Sequence, residues 1–164
     1  MSLEQAIITW IHLVSSAIWV GGSLFIAVVF APVLKTMSYT IEERIQIMIK
    51  VGRKFNKIAL PSLIILAATG IYNSHHFLTN PELLFSTTYG MILTIKIILV
   101  IALFISFAVH IRIIRKDIEQ KIAEKQLSDI QISKLRKKII IVGEIVVSIS
   151  IAILFLAALL DAGI

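Results

Sequence analysis

Residues 90–110 read GMILTIKIILVIALFISFAVH, an apolar run that contains a single charged side chain, Lys96, and ends at His110. As an α-helix this run is about 30 Å long, which matches the hydrocarbon core of a bilayer. A lysine within a spanning helix costs about 2.5–3.5 kcal/mol on insertion scales, so it is expected to face a polar interior rather than lipid. The stretch therefore predicts a membrane helix in which Lys96 has a binding or pairing role.

The composition of the whole chain agrees with a membrane protein. Its 164 residues are 58% hydrophobic and only 16% charged, with a mean hydropathy of +0.95. This is too apolar for a soluble domain of this size. The net charge of +6 does not indicate a nucleic-acid partner, because the basic residues are concentrated in segments expected on one side of the membrane. The sequence has no cysteine, so a metal site must use histidine, methionine, carboxylates or lysine.

Four stretches, at about residues 3–31, 55–73, 89–114 and 139–160, are long and apolar enough to span a bilayer. The predicted fold is all-α, an integral membrane four-helix bundle that forms one domain over residues 1–164. Pro32 is expected to end the first helix. Thr40 and Glu43 match a capping box and predict a short amphipathic helix on the cytoplasmic membrane surface. Ser128 matches an N-cap, so helices three and four are expected to extend past the membrane as a charged hairpin.

The distribution of lysine and arginine predicts the orientation of the bundle. Residues 33–57 hold six of these side chains and residues 111–138 hold nine, whereas the N-terminus, residues 73–88 and the C-terminus hold none. Cytoplasmic loops of membrane proteins carry the excess of lysine and arginine. We therefore expect both basic segments in the cytoplasm and both termini outside, in a multi-pass protein of the cytoplasmic membrane.

Two polar groups are expected at a similar depth in the bundle. His12 lies about 13 Å from the start of helix one, and Lys96 lies about 11 Å from the start of helix three. His12 belongs to a stripe of polar and aromatic residues with helical spacing: His12, Ser15, Ser16, Trp19 and Ser23. Both side chains are energetically unfavourable inside a membrane, so their placement on inward faces at one depth favours a functional site. The alternative is that His12 and Lys96 only form hydrogen bonds to neighbouring helices.

Further polar residues are expected near the two ends of the bundle. On helix two, Asn73 and His76 continue an inward seam, while the adjacent His75 points elsewhere. The two histidines are candidates for capturing a soft or borderline metal ion, or else interfacial side chains in a wet loop. Near the opposite end, Glu144 of helix four is expected at the depth of His110, where the two side chains are able to pair.

Three stretches resemble the CopD domain of bacterial and archaeal copper-resistance membrane proteins. They read HLVSSAIWVGGSLFIAVVFAP at 12–32, RKFNKIAL at 53–60 and TTYGMILTIK at 87–96. The chain also resembles the related HemJ family of protoporphyrinogen oxidases, whose frame has a helix-one histidine before a tryptophan, a helix-three lysine with a downstream histidine, and a helix-four glutamate. The matching residues here are His12, Trp19, Lys96, His110 and Glu144.

The two resemblances imply different functions. CopD implies copper handling, in uptake or resistance, with a periplasmic copper-binding partner; the expected ligands are His12, His75 and His76, supported by Trp19, Asn73, His110 and Glu144. HemJ implies haem b bound by His12 and Lys96, and thus an oxidoreductase that works with a redox partner or oxidises a porphyrinogen. A third alternative is a non-catalytic accessory subunit whose polar seams only specify helix packing.

Overall fold

The computed structural model describes residues 2–163, which form four long helices and three short ones. In chain order the helices are α1 (Leu3–Thr36), α2 (Ile41–Asn73), α3 (His75–Thr79), α4 (Pro81–Ser86), α5 (Thr88–Ile113), α6 (Lys116–Ala123) and α7 (Asp129–Asp161). Four helical stretches are long and apolar enough to cross a membrane, and residues 2–163 contain no β-strand. The prediction of an all-α membrane helix bundle is confirmed.

Side-chain caps begin the long helices. The Ser2 hydroxyl accepts a hydrogen bond from the backbone N–H of Gln5 at the start of α1, in a full capping box. Thr40 with Glu43 forms the same motif at α2, and Ser128 with Gln131 forms it at α7. The predicted caps at Thr40 and Ser128 are therefore confirmed. Each cap satisfies backbone N–H groups that have no partner in the first helical turn.

The four long helices pack as two closely associated pairs, α1 with α2 and α5 with α7. Buried apolar side chains fill the centre between them: Trp19, Ala59, Leu63, Leu103, Phe107 and Val146. The opposite face of α5 exposes large apolar side chains, including Ile98, Ile101 and Ile105. So much exposed apolar surface is stable only against lipid, and the bundle therefore contacts the bilayer.

The two ends of the bundle differ in charge. The basic end contains residues 33–57 and 111–138, which carry all the lysine and arginine except Lys96. The opposite end, which we call the neutral end because it has no lysine or arginine, contains the start of α1, the end of α7 and the short helices α3 and α4. Its charged side chains are the carboxylates of Glu4, Glu82 and Asp161. At this end the Tyr72 hydroxyl donates to the Glu4 carboxylate at 3.0 Å, which ties the end of α2 to the start of α1.

Helix α2 differs from the sequence prediction. Residues 41–54 do not form a separate amphipathic helix on the membrane surface, because α2 is continuous from Ile41 to Asn73 and carries Pro61 within it. Ile45 and Ile49 are fully buried in a cluster with Ile114, Ile122, Ile132 and Ile139. Arg53 also forms a 2.6 Å ion pair with Glu119 of α6. Packing against α6 and α7 holds this segment in line with the rest of α2.

Two other helix ends also differ. Pro32 does not end α1, which continues to Thr36; the preceding residues Phe25–Phe30 are π-helical, as are Ala17–Gly21. Proline lacks a backbone N–H and therefore removes one hydrogen bond from a helix. This loss destabilises the helix less where the regular α-helical hydrogen bonds are already altered by a π-helical turn. At the basic end, α7 extends past the membrane span as predicted, whereas α5 ends at Ile113 and its extension is the separate helix α6.

Candidate functional site

A cavity of about 340 Å³ lies between the four long helices in the half of the bundle nearer the neutral end. We call it the His12 cavity. Its polar lining side chains come from α1, α5, α7 and the turn that follows α2, and they comprise His12, Ser16, Trp19, Ser74, Lys96 and Ser150. The rest of the lining is apolar, with Leu63, Leu93 and Phe104 among the residues that form it. The cavity thus offers a few polar groups within an apolar wall, which is the usual make-up of a small-ligand site.

The orientation of His12 is fixed by a hydrogen-bond chain to α2. Nδ1 of His12 lies 2.6 Å from the Thr69 hydroxyl oxygen. That hydroxyl donates its own hydrogen to the backbone carbonyl of Ile65 at 2.7 Å, so it accepts from His12 Nδ1–H. The proton of the neutral imidazole is therefore on Nδ1, and the Nε2 lone pair is free. Gly70 lies beside the ring, where a side chain would contact His12 Cε1 at 3.8 Å.

Lys96 and His12 line the same cavity from opposite helix pairs, α5 and α1. Lys96 is half-buried, and no hydrogen bond or ion pair joins its ammonium group to another residue within 2–163. The two residues that were expected at one depth therefore share one chamber. A lone pair on His12 and an amine on Lys96 provide two nitrogen groups for a bound ion or molecule.

Trp19 closes the His12 cavity toward the basic end. Its side chain is only 2% exposed, and its indole N–H donates to the Ser150 hydroxyl at 2.9 Å. Its ring also contacts Phe107 edge to face, with 4.8 Å between the ring centroids. Trp19 lies within the π-helical turn Ala17–Gly21, a distortion that is frequent at functional sites. These contacts from α5 and α7 hold the indole across the centre of the bundle.

A second cavity, of about 190 Å³, lies on the other side of Trp19, and we call it the His110 cavity. Among the residues that the structure describes, Trp19 is the one that lines both cavities. His110 packs against Gly143 of α7, where a side chain would lie 4.0 Å from its Nε2. Glu144 also lines this cavity but is exposed, and no ion pair joins it to His110 within residues 2–163. The expected Glu144–His110 pair is therefore absent from the described structure.

His75 and His76 lie outside both cavities, on the short helix α3. Both are exposed, and His76 contacts Phe77 edge to face at 5.6 Å. Asn73 is also exposed, so the inward seam of α2 ends at Thr69 and Gly70 and does not continue to Asn73 and His76. The helix breaks at Ser74, and this break turns the later residues away from the direction that an unbroken α-helix would give them.

Thr69 is the site residue that sequence reasoning undervalued. Its helical spacing puts it on the same face of α2 as Asn73, but spacing within one helix gives no sign of a hydrogen bond to His12 on another helix. The signal available was a threonine placed one turn before Asn73 on the predicted inward face.

A family model described as Copper resistance protein D matches residues 49–160, which is more than half of the chain. The chain belongs to the CopD family. The match covers most of α2, all of α5 and all of α7 except its last residue, whereas His12 and Trp19 of α1 lie before it. No curated protein and no solved structure shows a significant match to the chain.

The described residues are better suited to transient binding of a copper ion than to a permanently bound copper centre. Within residues 2–163, no group of three or more histidine, cysteine, aspartate or glutamate side chains is arranged to hold a metal ion. The His12 cavity offers one imidazole, with Lys96 as the second nitrogen group. Imidazole is a suitable ligand for copper, and a site with few protein ligands releases an ion more readily than a closed site does.

Haem b fits the structure less well. The second imidazole within the bundle, His110, lines the other cavity and is separated from His12 by Trp19. The His12 cavity of about 340 Å³ is at the small end of the range for small-molecule and cofactor sites. The side chains that line it provide one imidazole, so paired histidine ligation is not available there.

Proposed function

We propose that this CopD protein handles copper ions within the cytoplasmic membrane, in uptake or resistance, and that His12 is the residue that binds the ion in the His12 cavity. The observation that carries the proposal is the hydrogen-bond chain from His12 through Thr69 to the Ile65 carbonyl. Metal-binding histidines generally donate their second ring N–H to a fixed oxygen, which orients the other nitrogen toward the metal. His12 already has this arrangement.

Lys96 sets the charge of the copper site. A protonated Lys96 in the same cavity repels a copper cation, whereas the neutral amine has a lone pair to donate. Copper binding is therefore coupled to loss of a proton, and copper affinity is expected to rise as the pH rises. Ligands of metal ions must generally lose their protons before they bind, so this direction holds for His12 as well.

The pair His75 and His76 is proposed as the place where copper first binds. Two residues close to the pair line the His12 cavity, Ser74 directly before it and Leu78 two positions after it, so the exposed imidazoles lie next to the neutral end of the cavity. Double replacement His75→Ala and His76→Ala should slow copper entry and weaken surface binding tenfold or more, as is typical for loss of a ligand. The matched control is His110→Ala on the other side of Trp19, and an equal effect of that variant would exclude the entry site.

The experiment that tests the proposed function compares two histidines within one bundle. Copper affinity is measured by competition with a coloured chelator on purified wild-type protein, His12→Ala and His110→Ala. We expect His12→Ala to lose at least tenfold in affinity and His110→Ala to bind as wild type does. Unchanged affinity in His12→Ala would contradict the proposal and favour an accessory subunit. A Soret absorption band that disappears in His12→Ala would contradict it in favour of haem.

A further inference from the structure

The His110 cavity differs from the His12 cavity in its charge. Three cationic side chains line it, Lys35 from α1, Arg44 from α2 and Arg136 from α7, against one carboxylate, Glu144. A cavity with this balance repels a copper cation and attracts an anion. The cations also come from three separate helices, so their convergence on one cavity is a property of the fold and not of a single basic run.

These three cations form no ion pair with any residue that the structure describes. Other basic residues near them do, since Lys50 and Arg53 both pair with Glu119. Within residues 2–163, by contrast, no ion pair involves Lys35, Arg44 or Arg136. Arg44 is held in place by a hydrogen bond from Nη2 to the Met37 carbonyl at 2.8 Å, while its buried Nε has no hydrogen-bond partner in the described chain. A buried donor of this kind is normally satisfied by a bound group or by water.

Apart from Ser23, Asn56 and His110, the remaining lining of the cavity is largely apolar. Ile26, Ile45, Phe107, Ile139 and Val147 belong to it, and they come from all four long helices. The cations lie toward the basic end and the apolar residues extend toward Trp19, so the cavity is amphipathic along its length. A ligand with an anionic group and an apolar chain would contact both the cations and the apolar lining. A free inorganic anion would contact only the cations.

We infer that the His110 cavity binds the phosphate group of an anionic phospholipid from the leaflet at the basic end, with Lys35, Arg44 and Arg136 as its ligands. Arginine binds phosphate oxygens through two parallel N–H groups, and lysine adds a point charge. Basic pockets between membrane helices on the cytoplasmic side are suited to lipid headgroups. The inference does not depend on copper binding, because it concerns the cavity on the other side of Trp19.

The test is native mass spectrometry of the purified full chain released from detergent micelles that contain phosphatidylglycerol or phosphatidylcholine. We expect retention of phosphatidylglycerol but not of phosphatidylcholine. The double variant Lys35→Gln, Arg136→Gln should weaken retention about twentyfold, from roughly fivefold for each cation removed. The matched control Lys134→Gln, Lys137→Gln removes the same charge from exposed positions of α7 that do not line the cavity, and should change retention less than about threefold.

Three results would overturn the inference. One is equal retention of phosphatidylcholine, which also has a phosphate group, because this would show that the net negative charge of the lipid does not contribute to binding. Another is an equal loss in the control variant, which would show a general attraction to the basic end. The third is displacement of phosphatidylglycerol by inorganic phosphate at about ten millimolar, which would identify a free anion as the ligand. Arg44→Gln gives a second variant if the double variant fails to fold, and it should lose retention about fivefold.

Discussion

At the scale of single residues, one hydroxyl decides what His12 can do. Thr69 accepts from His12 Nδ1 and donates to Ile65, and this fixes both the tautomer and the direction of the free Nε2. Replacing Thr69 by valine keeps the shape of the side chain and removes the acceptor. The ring would then be free to turn, and its two nitrogens would no longer be distinguished.

We predict that Thr69→Val lowers copper affinity about tenfold to a hundredfold, as loss of an outer hydrogen-bond partner does in metal sites. Thr69→Ser, which keeps the hydroxyl, should bind as wild type does. The control is Ser62→Ala: the Ser62 hydroxyl is also in α2 and also donates to a carbonyl one turn earlier, that of Ile58, but it makes no contact with His12. The measurement is a chelator competition titration, and equal affinities for Thr69→Val and Ser62→Ala would contradict the assigned role.

Trp19 is the second decisive residue because it separates the two cavities. Trp19→Ala removes this barrier and should join the cavities into one path, so vesicles that contain the variant should leak protons faster than wild-type vesicles. Trp19→Phe keeps a ring at the position and loses only the hydrogen bond to Ser150, at a cost of about 1 kcal/mol. Vesicles that contain Trp19→Phe should therefore leak protons no faster than wild-type vesicles. A folded Trp19→Ala protein that does not leak would show that other residues form the barrier.

At the scale of helices, close contacts between backbones determine how α4 lies against α5. Gly90, in the first turn of α5, lies so near to Leu83 and Leu84 that a side chain at this position would overlap the Leu83 carbonyl. Gly21 of α1 offers a comparison, since a side chain there would meet nothing within 4 Å. Both are helical glycines, and they differ in whether the neighbouring element leaves room.

We predict that Gly90→Ala destabilises the protein by about 1–3 kcal/mol, because either α4 or the start of α5 must move. Gly21→Ala should be neutral or stabilising by up to about 1 kcal/mol, because alanine favours the helix and has space. Thermal unfolding in detergent, followed by circular dichroism, measures both. Equal midpoints for the two variants would show that the α4–α5 contact is not tightly packed.

At the scale of the whole molecule, the predicted orientation remains to be tested by labelling. The absence of cysteine allows single cysteines to be introduced as reporters. We predict that Asn80→Cys and Gly163→Cys, at the neutral end, are labelled by an impermeant reagent in intact cells. Gln126→Cys, at the basic end, should be labelled only after permeabilisation. Labelling of Gln126→Cys in intact cells would reverse the assigned orientation.

Much of the architecture was predictable because it depends on local chemistry. Length and apolarity identify the four membrane helices, and the caps at Thr40 and Ser128 mark two helix starts. The continuity of α2 was not predictable in the same way, since it depends on Ile45 and Ile49 packing against residues far along the chain. Sequence periodicity also assumes a regular 3.6-residue turn, and the π-helical turns of α1 depart from it.

In the candidate site, too, the features set by helical spacing were predictable, whereas those set by contacts between helices were not. Helical spacing placed His12 and Lys96 on inward faces, and they line one cavity. It did not predict that Asn73 and His76 are exposed. The helix break at Ser74, which precedes His76, is not encoded in the polar pattern. The separation of the bundle into two cavities by Trp19 also depends on contacts with Phe107 and Ser150 from other helices.

The central claim is that His12 binds copper, and X-ray absorption at the copper edge tests it most directly. All samples carry His75→Ala and His76→Ala, so that the proposed entry pair contributes no imidazole. In this background, copper-loaded protein with or without His110→Ala should show nitrogen ligands with the outer-shell scattering of an imidazole ring. Addition of His12→Ala should remove the imidazole contribution, because the His12 cavity has no second histidine among the residues that the structure describes. Imidazole scattering of equal strength with and without His12→Ala would contradict the claim and place the copper ion on a different histidine.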